Sequence, residues 1–121
     1  MKLAEIIELI DGDVYTISAN LQQNIQGGCG ADLMSDVLAS SQPNSLLLTG
    51  LCTLQVIRTA QMADVQAIVF VRGKKPSPEM INLAEVEDIP LISSPYGMFE
   101  LCGRLHSAGL LSSENCFSNE E

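Results

Sequence analysis

Arg72, Lys74 and Lys75 are three of the six cationic residues in the chain, and they flank Gly73 within four positions. The same sequence carries 15 acids and a formal net charge of −9. A dense cationic turn on an acidic protein is suited to a phosphate or a carboxylate. Arginine offers a planar two-pronged donor, lysine adds point charge, and glycine lets a ligand approach the backbone. Thr49, Ser93 and Ser94 are hydroxyl donors that end two apolar runs, and Ser94 can also serve as a helix cap. Together Thr49, Arg72, Gly73, Lys74, Lys75, Ser93 and Ser94 form a candidate ligand-binding set. The plainer reading is a solvated turn whose charges offset the acidic surface.

Other chemistry is thinly supplied. His106 is the only histidine, so it is the only imidazole base for a serine or cysteine nucleophile. Its place beside Leu105 in a helical pattern suits a surface residue better. Asp32 and Asp36 are one helical turn apart and could share a metal or a proton, but a helix cap and an exposed acid explain them more simply. Gly73-Lys74 has no P-loop glycine before it, and Pro76 follows it. Gly28-Cys29-Gly30 is a fragment of a dinucleotide fingerprint in which Leu33 stands at the third glycine. Cys29, Cys52, Cys102 and Cys116 form no C-x-x-C pair, which favours reduced thiols over a metal or iron–sulfur site. No catalytic residues and no cofactor are expected.

Charge and hydropathy narrow the partners. The negative charge opposes bulk electrostatic binding to nucleic acid or to an anionic membrane. No apolar run approaches the ~18 residues of a membrane span, and the N-terminus does not read as a signal peptide. The expected location is the cytoplasm.

The elements that must position these residues follow from periodicity. Leu3, Ile6, Ile7 and Ile10 mark an amphipathic helix, ended by Asp11-Gly12-Asp13 with Gly12 suited to a left-handed cap. Val14 to Ser18 reads as a short strand and 19 to 24 as a loop. Ile25 to Cys29 is a strand weakened by Gly27 and Gly28. Asp32 is placed to cap a helix through Ala39. Apolar strands then centre on Leu47, Val69 and Leu91, 22 residues apart each time. Helices fill the gaps over Thr53 to Ala63, Pro78 to Glu87, and Pro95 to about Ala108. Ser77-Pro78 and Ser94-Pro95 both look like helix starts. This alternation predicts an α/β fold with a mostly parallel sheet flanked by helices, in two or three layers. Residues 1–111 form the single domain, and 112–121 an acidic flexible tail.

At this point the order of motifs is that of a known family. Gly30 to Ala39 resembles the G-D-L-L-S-D-V-x-A stretch of DRTGG-domain proteins. Ala67 to Pro78 resembles that family's strand, glycine turn and proline-capped helix, and Ile89 to Tyr96 its I-P-x-x-x-T-P-Y strand exit. The resemblance spans residues 1 to about 110. Two name-giving elements differ. Thr49-Gly50-Leu51-Cys52 stands near the usual Gly-Asp-Arg turn, and Val71-Arg72-Gly73 where many relatives have Thr-Gly-Gly. The resemblance implies a regulatory module of the kind fused to nucleotide-sensing CBS pairs in some pyrophosphatases, or found near the N-terminus of some phosphotransacetylases. Stand-alone copies resemble small proteins of anaerobes found beside iron hydrogenases, some labelled HPr serine kinase-like. It also implies a homodimer, which the apolar helix Thr53 to Ala63 independently suggests.

The expected function is therefore a non-catalytic sensor of a small anion or nucleotide at the carboxyl edge of the sheet. The alternative is a structural accessory to a hydrogenase-type redox enzyme.

Overall fold

A computed structural model describes residues 1–40 and 42–114. The elements run α1 (Leu3–Leu9), β1 (Asp13–Val14), β2 (Gly27–Gly30), α2 (Met34–Ser40), β3 (Ser45–Thr49), α3 (Leu54–Met62), β4 (Ala67–Phe70), α4 (Pro78–Glu87), β5 (Leu91–Ser93) and α5 (Met98–Ser107). The five strands form one sheet in the order β1-β5-β4-β3-β2. Strands β2 to β5 are parallel, and β1 pairs antiparallel to β5. The expected α/β class is what the chain adopts, in three layers.

Parallel neighbours need crossovers, and a right-handed crossover that always advances the same way leaves its helices on one face. Thus α2, α3 and α4 all pack there, with Val37, Ile57, Ala60 and Ala84 against Leu47, Ile68, Phe70 and Leu91. The opposite face holds α1 and α5, with Leu3, Ile6, Leu101 and Leu105 against Leu46, Leu48, Val69 and Ile92. Both faces being covered explains why β3 and β4 are buried at every position.

Several local expectations change in three dimensions. The left-handed residue after α1 is Asp11, with φ +51°, not Gly12. Gly12 is needed for close approach, since a Cβ there would lie 2.7 Å from Ile92 Cγ2. Strand β1 is only Asp13–Val14, although Tyr15 N–H continues the pairing to the Leu91 carbonyl. Strand β2 begins two residues later than expected. Its glycines admit residues 111–113 alongside: Gly28 N–H donates to the Leu111 carbonyl, and Ser113 N–H to that of Gly28, both at 2.9 Å. A Cβ on Gly27 would come within 2.9 Å of the Leu111 oxygen. Residues 112–114 therefore belong with the sheet edge rather than with the expected tail, whose remainder, 115–121, lies outside the described residues.

The cover that α3 requires comes from within the chain. Its flanks pack on α2 and α4, and its outward positions Gln55, Arg58, Gln61 and Met62 are exposed. Packing against these neighbours removes the sequence argument for a dimer through α3. Helix α5 starts at Met98 with Gly97 as N-cap, so Ser94-Pro95 is not a helix start. Ser77-Pro78 is one: the Ser77 hydroxyl accepts from Met80 N–H at 3.2 Å.

Candidate functional site

Strands β2 to β5 all end at one edge of the sheet. The loop after β4 turns toward α4 on one face, and the loop after β5 toward α5 on the other. Ligands of open α/β sheets usually bind beyond the carboxyl ends of strands where successive connections part in this way. The cationic turn occupies that place.

Its backbone is unusual. Arg72 and Gly73 both have positive φ, +59° and +68°, and Lys74 N–H closes the turn on the Val71 carbonyl at 3.2 Å. Two successive positive φ values define a type I′ turn, which favours Asn-Gly or Gly-Gly. A left-handed arginine costs about 1–2 kcal/mol. The turn is stitched to the neighbouring loop to hold it there. Arg72 N–H donates to the Tyr96 carbonyl at 2.8 Å, and Gly73 N–H to the Ser94 carbonyl at 2.7 Å.

The predicted hydroxyls lie in the same region but face inward. Thr49, Ser93 and Ser94 are buried. Ser93 donates to the Lys74 carbonyl at 2.7 Å, and Ser94 to that of Ile10 at 2.8 Å. Thr49 donates to the Asp32 carboxylate at 3.3 Å and accepts from Leu51 N–H at 3.1 Å. These three side chains tie the loops together. Arg72, Lys74 and Lys75 are exposed, and Lys74 Nζ reaches the Gly50 carbonyl at 2.5 Å. Among the described residues the one ion pair is Glu100–Arg104, so no carboxylate neutralises the turn.

Asp32 has a role its position in the sequence did not suggest. Instead of capping α2, its carboxylate crosses to β3 and accepts from Gly50 N–H at 2.7 Å. It therefore holds the loop whose carbonyl receives Lys74. Gly97 is the other omission. It caps α5 without a side-chain hydrogen bond, and a Cβ placed on it would stand 3.8 Å from Arg72 Nε. Residues 18 to 25 positions apart leave no local signal of such contacts.

The remaining candidates are dispersed. His106 is exposed on α5, and Asp36 is exposed on α2. Among the described residues no three His, Cys, Asp or Glu side chains stand together as a metal cage. Cys29 is buried in the core, Cys52 and Cys102 are half-buried thiols, and Cys116 lies outside the described residues. Burial pushes the Cys52 thiol up, partly offset by the Lys74 charge. Alkylation of Cys52 at pH 8 is expected to be slower than that of a free cysteine, because the thiolate is the nucleophile. Peptide mapping after timed iodoacetamide treatment measures it; a rate above the free-thiol value would contradict the desolvated setting. Among the described residues, no helix is long and apolar enough to cross a membrane.

A three-layer α/β domain with a stitched cationic turn at the carboxyl edge is thus the class of protein at hand. Residues 5–108 match the DRTGG domain model, and the chain belongs to that family. A solved structure containing the CBS and DRTGG domains of the regulatory region of a Clostridium perfringens pyrophosphatase, complexed with its activator diadenosine tetraphosphate, is similar in fold. Its TM-score is 0.76 at 15% identity, over 98% of this chain and 51% of that one. This chain therefore spans about half the length of that structure. Comparison with curated protein sequences gives no match.

Proposed function

We propose that this chain is a non-catalytic sensing module that takes a phosphate-bearing anion at the Arg72–Lys75 turn. The observation that carries the reading is Arg72 itself. This exposed arginine pairs with no carboxylate among the described residues, and it is held in a left-handed conformation that glycine would adopt without strain. Strain of this kind persists where the surroundings enforce it and is concentrated at functional sites. Gly97 and the first turn of α5 beside Arg72 add unpaired N–H groups and partial positive charge. Arg72, Lys75 and the remaining Lys74 N–H groups face the ligand, and Gly73 keeps the approach open. Thr49, Ser93 and Ser94 contribute by holding the loops.

A regulatory role is consistent with DRTGG membership. It is also consistent with the nucleotide activator bound by the regulatory region of the pyrophosphatase, a larger protein similar in fold. A thermal-shift screen of nucleotides and phosphorylated metabolites tests the reading, because a ligand that binds only the folded state must stabilise it. No shift with any of them would favour an interaction module, with a hydrogenase-type redox enzyme as the partner the family resemblance suggests.

Arg72→Gly separates function from fold. Glycine removes the left-handed penalty at the cost of a more flexible unfolded chain, so Tm should hold or rise. The lost charge-assisted hydrogen bond, worth about 1.5–3 kcal/mol, should weaken binding of the best hit at least about tenfold. Calorimetry and melting on the two proteins decide it. Unchanged affinity would return the cluster to a solvated turn.

A further inference from the structure

A groove of about 380 Å³ runs along the flank of α5, on the opposite side from Tyr96 and Arg104. Its floor is Gly28 and Gly30 of β2, and Leu105 and Leu110 form its inner wall. Among the described residues α1 and α5 are the helices that cover this face of the sheet, and Gly28 and Gly30 of β2 present no side chain there to fill the gap. Phe99 stands at one rim, 94% exposed. Gly103, one turn further along the helix, lines the same groove, and a Cβ added to it would meet nothing within 4 Å. Glycine inside an exposed helix costs about 1 kcal/mol relative to alanine, and no packing contact among the described residues requires it here.

We infer that this groove holds the ring of a guanine nucleotide whose phosphates reach the Arg72 turn. The inference rests on the anion reading above for the phosphate end alone. The groove has the size and apolar lining of a small-molecule site. Exposed Phe99 offers a stacking face for a planar base, and the missing side chain at Gly103 leaves room for the ring. Among the described residues Glu114 is the one acid lining the groove, and one oxygen of its carboxylate accepts from Gly30 N–H at 3.4 Å, leaving the other open. A carboxylate among apolar groups selects a ring that presents donors, and guanine presents two side by side, its N1–H and its 2-amino group. The Cys102 thiol is pushed up by burial and by the Glu114 charge, so it stays neutral beside the ring. Continuity supplies the second half of the argument. Phe99 lies two residues beyond Gly97, where an added Cβ would stand 3.8 Å from Arg72 Nε. The rim of the groove at Phe99 and the cationic turn therefore both adjoin the first turn of α5.

Calorimetric titrations with inorganic pyrophosphate, guanosine and GDP test this on the full chain. GDP is expected to bind about tenfold or more tighter than pyrophosphate, the scale of one aromatic stacking contact. Gly103→Leu fills the groove with a better helix former and should abolish that gain while leaving pyrophosphate affinity unchanged. Phe99→Ala, at an exposed position, should reduce it by about tenfold. If GDP binds no tighter than pyrophosphate, or if Gly103→Leu leaves GDP affinity intact, the groove assignment is overturned and the anion site stands. If guanosine binds and Gly103→Leu removes it, but pyrophosphate does not bind, the groove stands and the anion reading falls.

Discussion

Phe70→Ala is expected to destabilise the folded chain by about 3–5 kcal/mol. Phe70 is fully buried in β4, at the centre of the sheet, beneath the α2–α4 layer. Its lateral neighbours in the register are Thr49 and Ser93. Both are small, and both hydroxyls are committed to the loops, so neither can swing into the space an alanine leaves. The cost therefore includes nearly the whole cavity as well as the lost transfer free energy. A loss on this scale is a large part of the stability of a domain this size. Because Phe70 precedes Val71 and the cationic turn, its loss should also loosen that turn. Far-UV circular dichroism in urea measures the change, since the chain has no Trp to report by fluorescence. A loss below about 1 kcal/mol would mean that the neighbouring side chains collapse into the space after all.

Asp32→Ala is expected to cost about 1.5–3 kcal/mol, the range for hydrogen bonds to a charged group. The carboxylate accepts from Gly50 N–H at 2.7 Å and from the Thr49 hydroxyl at 3.3 Å. The Thr49 side chain is buried, so removing its acceptor leaves a hydroxyl donor without a partner. Asp32→Asn keeps an oxygen in the same place and should lose much less. The difference between the two variants separates the acceptor from mere side-chain bulk. Because Asp32 holds the Gly50 loop and the Gly50 carbonyl receives Lys74 Nζ, Asp32→Ala should also weaken ligand binding at the turn. Equal stability of wild type and Asp32→Ala would show that Gly50 N–H and the Thr49 hydroxyl find water or other acceptors at no cost.

The apolar runs of β3, β4 and β5 and the helices between them were legible because burial on both faces writes itself as continuous hydrophobic sequence. Helix α4 was read to the residue, since Ser77-Pro78 is a local device. The DRTGG motifs were legible for the same reason: each is short and contiguous. The register was not. Equal spacing of 22 residues located strand centres near Leu47, Val69 and Leu91 but said nothing of pairing, and in the sheet it is Ile68 that pairs with both Leu47 and Leu91. Side chains alternate faces along a strand, so only Leu47, Ile68 and Leu91 together can line the layer that holds α2, α3 and α4. A spacing counted along the chain cannot see which face a loop of given length will deliver.

The same limit governed the candidate site. Sequence alone identified the cationic cluster, because it is four consecutive residues in an acidic chain. It could not tell that Thr49, Ser93 and Ser94 turn inward, since a hydroxyl has the same identity whether it meets a ligand or a backbone carbonyl. Nor could it show that Asp32 accepts from Gly50 N–H instead of capping α2, that Gly97 lies beside Arg72, or that Gly27 and Gly28 make room for residues 111–113. Each of those facts depends on a contact between segments distant in sequence. Local chemistry determined which elements form and where charge collects; the tertiary packing decided which of those groups remain exposed and which are turned inward to tie the loops.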